Sequence, residues 1–219
     1  IVNEGKSFVG SVVICGEVID EIIEGNEEPS APCEEIIDAQ GYYLLPGIID
    51  DHVHFRDPGL THKADMHSES KAAAAGGVTS YMDMPNTVPQ TTTIEALNDK
   101  FADAATKSIV NYSFYFGATN DNVSLLPHLD KQRICGIKLF MGSSTGNMLV
   151  DQLDTLKYIF THAHMLIAAH CEDQEIIQAN IDVYKNPYED DLPIHYHPLI
   201  RDKQACYKSS QLAIELAKE

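Results

Sequence analysis

Positive charge is scarce in this sequence. Across 219 residues, 15 Lys and Arg stand against 33 Asp and Glu, a formal net charge of −18. Nucleic acids and anionic membranes would repel such a chain, so both are excluded as partners, and an anionic substrate must be met by a local positive site. Cysteine pairs are missing as well. The five cysteines, Cys15, Cys33, Cys135, Cys171 and Cys206, are odd in number, widely spaced and without a C-x-x-C pair. That argues against a disulfide framework or a cysteine zinc site and fits a reducing cytoplasm. No window approaches the roughly eighteen apolar residues of a membrane span. No basic-then-apolar leader opens the chain, so a soluble, unexported protein is expected. Residues 142–147 are Gly-rich but lack the Lys of a phosphate loop, and no Gly-x-Ser-x-Gly elbow or Cys/His pair offers a covalent nucleophile. A flexible active-site loop is expected there instead. Position 1 is Ile within Ile1-Val2-Asn3, so the numbering is expected to begin inside a longer translated product.

What is present is enough for a core: 44% of the residues are hydrophobic, which suits one large domain or a domain and a half. Over residues 8–24, β-branched runs flank Cys15-Gly16-Glu17, as in a hairpin. An acidic, Pro-containing loop is expected over 25–35, with strand returning at 36–38 and 42–45. Pro46-Gly47 then marks a change of domain, dividing a small β portion, 1–46, from a larger one, 47–219. In the larger portion strand-like segments recur near 48–54, 78–84, 112–117, 136–141 and 165–170, and helix-like stretches fill the spaces between them. Ala72-Ala73-Ala74-Ala75 ends at Gly76-Gly77, and 93–107, 152–160, 172–184 and 202–217 carry helical patterns. Strand–helix units whose strands are apolar on both faces indicate a parallel sheet, either open and doubly wound or closed as a (β/α) barrel. A complete barrel has eight units in about 250 residues, so roughly three would be missing here.

The chemistry centres on Asp50-Asp51-His52-Val53-His54-Phe55-Arg56-Asp57-Pro58-Gly59, which follows an apolar run. In a strand His52, His54 and Arg56 share one side while Val53 and Phe55 face the other. Two imidazoles suit a divalent metal such as zinc, and the planar fork of Arg56 suits a substrate carboxylate. A surface strand that happens to carry two His is the alternative. Lys138 lies among apolar residues in Ile137-Lys138-Leu139-Phe140-Met141. Burying an unpaired ammonium costs several kcal/mol, so a buried carboxylate must neutralise it or carbon dioxide must convert it to a carbamate that bridges two metals. His170 ends the run Met165-Leu166-Ile167-Ala168-Ala169, where a further ligand belongs, although a satisfied core histidine would look the same. In Asp83-Met84-Pro85-Asn86-Thr87, Asn86 offers an acceptor and two donors for a polar substrate, or the segment is an ordinary turn. His62, His67, His128, His162, His164, His195 and His197 share no ligand spacing and are taken as structural or solvated.

Taken together, Asp50 to Gly59, Asp83-Met84-Pro85-Asn86-Thr87, Ile137-Lys138-Leu139-Phe140 and Ala169-His170-Cys171-Glu172 resemble the amidohydrolase superfamily, and within its cyclic amidases the dihydroorotases. The resemblance implies a small N-terminal β-sandwich beside a metal-dependent (β/α)8 TIM barrel. It implies two zinc ions, with His52 and His54 on the more buried one, carbamylated Lys138 bridging, and His170 on the second. Arg56 and Asn86 would bind the substrate's α-carboxylate, and the related dihydropyrimidinases and allantoinases usually lack these two residues. The implied reaction is reversible cyclisation of N-carbamoyl-L-aspartate to L-dihydroorotate, a step of pyrimidine synthesis. A metal-binding histidine on strand six and an acid/base aspartate on strand eight have no counterpart before Glu219. The segment is therefore expected to belong to a longer cytoplasmic enzyme and to be inactive alone. A homodimer is compatible with this, and the rivals are a dihydropyrimidinase, hydantoinase or allantoinase, or a non-catalytic scaffold subunit.

Overall fold

The computed structural model describes residues 1–142, 144, 146–185 and 192–219. Of the loop expected over 142–147, Ser143 and Thr145 lie outside the described residues. The chain divides into two compact units, Ile1–Ile48 and Ile49–Glu219.

The first unit holds two separate antiparallel pairs: β1 (Val2–Asn3) with β2 (Lys6–Ser7), and β3 (Gly10–Cys15) with β4 (Val18–Glu24). The expected hairpin is there, closed by Gly16 and Glu17, with Cys15 opposite Val18 and Gly16 at φ +62°. The register slips between Val13 and Ile14, a bulge that sharpens the local twist. Residues 36–38 and 42–45, expected as strands, are coil. Their β-branched and aromatic residues suit a pleated surface, but a strand also needs a ladder. One backbone bond, Val2 N–H to the Leu44 carbonyl at 2.9 Å, ties this stretch down. Ile36, Ile37, Tyr42 and Tyr43 are exposed accordingly.

Five parallel strands curl into half a barrel: β5 (Ile48–Val53), β6 (Val78–Asp83), β7 (Asn111–Gly117), β8 (Gly136–Phe140) and β9 (Ile167–His170). Their spatial order is their sequence order. A doubly wound sheet reverses direction at a switch point, so the unbroken order selects the barrel. The helices are α1 (Met66–Ala75), α2 (Ile94–Lys107), α3 (Leu153–His162), α4 (Gln174–Lys185), α5 (His197–Ile200) and α6 (Lys203–Lys218). Asp65, Thr93 and Asp202 cap α1, α2 and α6 by accepting from backbone N–H groups of the first turn. Between β7 and β8 a 3₁₀ turn, Val123–His128, stands where a helix-like stretch was expected. Pro127 inside it cannot supply the N–H that a longer helix would need.

One face of the sheet packs on the helices. Tyr81, Phe114, Phe116, Ile137 and Leu139 are buried there with Leu97 and Ala104 of α2 and Leu156 and Ile159 of α3. Because partners in a parallel register share a face, Gly117, Lys138 and Ala168 form one row on the opposite side, and Phe140 and His170 the next. No helix among the described residues is long and apolar enough to cross a membrane.

Candidate active site

The carboxyl ends of the parallel strands carry the candidate residues. β5 stops at Val53, so the alternation expected to align Arg56 with His52 and His54 does not continue through strand. The reason lies in two buried anchors on either side of Arg56. The Phe55 N–H donates to Asp83 Oδ1 at 2.8 Å and its ring packs on Tyr81, centroids 4.3 Å apart. Asp57, 2% exposed, accepts from the Met66 N–H and pairs with Lys107 at 3.0 Å. Between these anchors Arg56 takes the left-handed conformation, φ +64°, which costs a non-glycine residue about 1–2 kcal/mol.

His52 and His54 are brought together, with ring centroids 5.4 Å apart and planes tilted by 55°. Burial, with the positive charge of Arg56 beside it, lowers the pKa of His54; Asp83 and Asn86 oppose the shift in part. The neutral imidazole, with a free lone pair, is therefore favoured. Asn86 lies close enough to favour protonated His54, yet its own Oδ1 is buried without a hydrogen bond of good geometry. The loop bearing Asn86 docks on the loop bearing Arg56 through Val88 N–H to the Pro58 carbonyl, 3.1 Å. Gly59, at φ +81°, is required there, because a Cβ would run into the Val88 backbone.

Lys138 is 3% exposed. Among the described residues no carboxylate pairs with it and no hydrogen bond reaches its Nζ, which lies 4.9 Å from the centroid of the Phe140 ring. Burial lowers its pKa, with only the Cys171 thiol opposing. The carboxylate-paired buried lysine is a different residue. Lys100, on α2, sits 2.6 Å from Asp83 Oδ2 with both side chains sealed from solvent, and also donates to the Met84 carbonyl at 3.0 Å. The one local signal for its burial is its place three residues after Leu97, on the buried stripe of the helix.

His170 closes β9 opposite Phe140. Its Nε2 lies 2.7 Å from Glu172 Oε2, and Glu172 is gripped by the guanidinium of Arg201, whose Nε donates to Oε1 at 2.8 Å. This charged chain was not foreseen. Glu172 stands two residues from His170, which is a signal, but Arg201 is 29 residues from Glu172 and nothing local announces it. Among the described residues no group of three or more His, Cys, Asp or Glu is gathered tightly enough to hold a metal. The structure thus brings His52 to His54, and places Lys138 and His170 on one face of neighbouring strands.

With this geometry in hand, comparisons with known proteins narrow the reading. A family profile described as Dihydro-orotase-like matches residues 41–182. A dihydroorotase of Methanosphaera stadtmanae is 31% identical over 211 residues, covering 95% of this chain and 47% of that protein. An allantoinase of Desulfitobacterium hafniense is 43% identical over 155 residues, 68% of this chain and 34% of its own. The solved structure of an L-hydantoinase (dihydropyrimidinase) from Arthrobacter aurescens superposes with a TM-score of 0.85 at 26% identity, over 95% of this chain and 47% of that one. The chain spans about half the length, or less, of these relatives. Their names differ in the ring they imply and agree on the class, and the extent of the match shows that the chain belongs to the dihydroorotase-like family of cyclic amidohydrolases.

Proposed function

We propose that the full-length protein is a dihydroorotase, interconverting N-carbamoyl-L-aspartate and L-dihydroorotate in pyrimidine synthesis. This chain supplies the small β-sandwich portion, 1–46, and the first five units of a metal-dependent (β/α)8 barrel, 47–219. The observation that carries the substrate class is the docking of two loops at the sheet's carboxyl end, one bearing the Arg56 guanidinium and the other the Asn86 amide. The Arg56 fork donates two hydrogen bonds to the substrate's α-carboxylate and the Asn86 amide N–H donates another. Held there, the ring is presented to the groups beside His54 in one orientation, and an ångström of misplacement costs about a hundredfold in rate.

The donor set fits a two-metal centre. His54 is favoured as a neutral ligand, and His170, bonded to Glu172 through Nε2, keeps Nδ1 for a metal. Lys138 has no anion beside it among the described residues, and its row neighbours Gly117 and Ala168 are small. Carbon dioxide adding to its neutral amine gives a carbamate and a proton, which supplies the missing negative charge. His52 and His54 would hold one zinc, His170 the other, and the carbamate of Lys138 would bridge them. When bound, the metals supply a hydroxide nucleophile near neutral pH and polarise the ring amide. Free cysteines throughout support a reducing, cytoplasmic setting, and a charge of −18 supports a small-molecule substrate over nucleic acid or membrane.

In the full-length protein, Arg56→Ala is expected to raise the KM for dihydroorotate about a hundredfold, the loss of charge-assisted hydrogen bonds. Use of an uncarboxylated dihydropyrimidine should change by about threefold or less. Equal losses on both rings would reject the carboxylate role. The allantoinases at 36% and 43% identity favour a second reading, a cyclic amidase for an uncarboxylated ring. Wild-type turnover of allantoin or a hydantoin in preference to dihydroorotate would establish it.

A further inference from the structure

The two loops proposed to hold the carboxylate are anchored from beneath by one buried ion pair. Asp83 and Lys100 are 0% and 1% exposed. Asp83 uses its two oxygens differently. Oδ1 accepts the Phe55 N–H, in the peptide that joins His54 to Phe55 and one residue before Arg56, at 2.8 Å. Oδ2 faces Lys100 Nζ at 2.6 Å, as a charge contact without an aligned hydrogen bond. Lys100 in turn donates to the Met84 carbonyl, two residues before Asn86, at 3.0 Å. The circuit closes through Met84 N–H to the Val53 carbonyl at 3.0 Å. Each ion of the pair therefore holds a different loop.

We infer that Asp83 and Lys100 are positioning residues which set the distance and orientation between Arg56 and Asn86, and so tune the affinity for a ring carboxylate. This rests on the carboxylate roles given to Arg56 and Asn86 above. A buried pair that only stabilised the fold would satisfy its lone pairs and protons wherever it lay; here the remaining bonds go to the two segments that the substrate must bridge. Burial lowers the pKa of Lys100, and the negative charge of Asp83 opposes that shift in part.

The test uses the full-length protein with two paired variants, so that no buried charge is orphaned. Asp83→Asn/Lys100→Met keeps an oxygen that accepts the Phe55 N–H, and Asp83→Leu/Lys100→Met removes it. The Leu/Met variant is expected to raise the KM for dihydroorotate about tenfold more than the KM for an uncarboxylated dihydropyrimidine, with kcat on the two rings changed alike. The Asn/Met variant should recover most of that difference. A structural role alone would lower the folded fraction and leave the ratio of KM values as in wild type, which would overturn the inference. The two readings fail separately. A wild-type enzyme that does not prefer the carboxylated ring rejects the carboxylate reading. Amide exchange then decides the anchoring: protection of the Phe55 N–H should fall about tenfold in the Leu/Met variant and persist in the Asn/Met variant. Unchanged exchange at residues 54–56 in both would reject the anchoring as well.

Discussion

Two lysines lie in the interior of the larger unit, and the fold treats them in opposite ways. Lys100, on the helix side of the sheet, meets a carboxylate at 2.6 Å and a backbone carbonyl at 3.0 Å. Lys138, on the other face, has small row neighbours, a ring at 4.9 Å and no carboxylate among the described residues. Burial lowers the pKa of both. A sealed ammonium without an anion costs several kcal/mol, so a chain that carries one and leaves it unpaired has placed it for something other than stability. The difference is what separates a tether from a reactive amine, and it supports the carbamate reading without any appeal to the family.

The sharpest way to break this contrast is to make the same substitution twice. Lys138→Met in the full-length enzyme is expected to abolish turnover, about a thousandfold or more, since the bridging anion proposed to form on Lys138 would be lost. The metal-free protein should stay as stable or gain about 1 kcal/mol in denaturant unfolding, because an unpaired buried charge is replaced by an apolar chain of similar length. Partial rescue of turnover by added short carboxylic acids would support the carbamate, and wild-type rate with wild-type metal content would exclude it. Lys100→Met should do the reverse to stability. It strands Asp83 in the core and is expected to cost about 3–5 kcal/mol, most of which Asp83→Asn in the same chain should restore. A Lys100→Met protein as stable as wild type would mean that the pair is not the tether described.

The contrast was only half visible in the sequence. Lys138 stood out because it interrupts a run in which both strand faces are apolar, a one-dimensional pattern that burial produces directly. Lys100 sits in a helix amid other polar residues, where a lysine is the default surface choice, and only its three-residue offset from Leu97 marks the buried side. Metal-ligand candidates at strand ends were legible for the same reason as Lys138: long apolar segments end abruptly in His52, His54 and His170. Period two predicts that Arg56 continues the strand, whereas Asp83 on one side and the Met66 and Lys107 partners of Asp57 on the other, all distant in sequence, hold the chain in a turn there. Residues 36–38 and 42–45 failed as strands for the complementary reason, since residue type sets the propensity and a partner sets the strand. The Glu172 to Arg201 grip joins positions 29 apart, and no local rule predicts which of the chain's few basic residues will close such a gap.

The smallest effect reads the same sheet from its helix side. Cys135 immediately precedes β8, in phase with Ile137 and thus opposite to Lys138, and burial pushes its thiol up to about 11, with Asp83 adding to the rise and Lys100 opposing it. Thiolate is the reactive form, so raising the pKa from an ordinary value near 8.5 cuts the alkylation rate at pH 8.5 by about a hundredfold relative to a short cysteine peptide. The sign follows from deprotonation. The rate should climb about tenfold per pH unit as pH rises and level off only near 11, while the peptide levels off at about 8.5. Lys138→Met should leave this profile within about twofold, because the two side chains are on opposite faces of the strand and share no partner. Alkylation of Cys135 at the peptide's rate, or a profile moved by Lys138→Met, would show that the sheet does not insulate one lysine from the other.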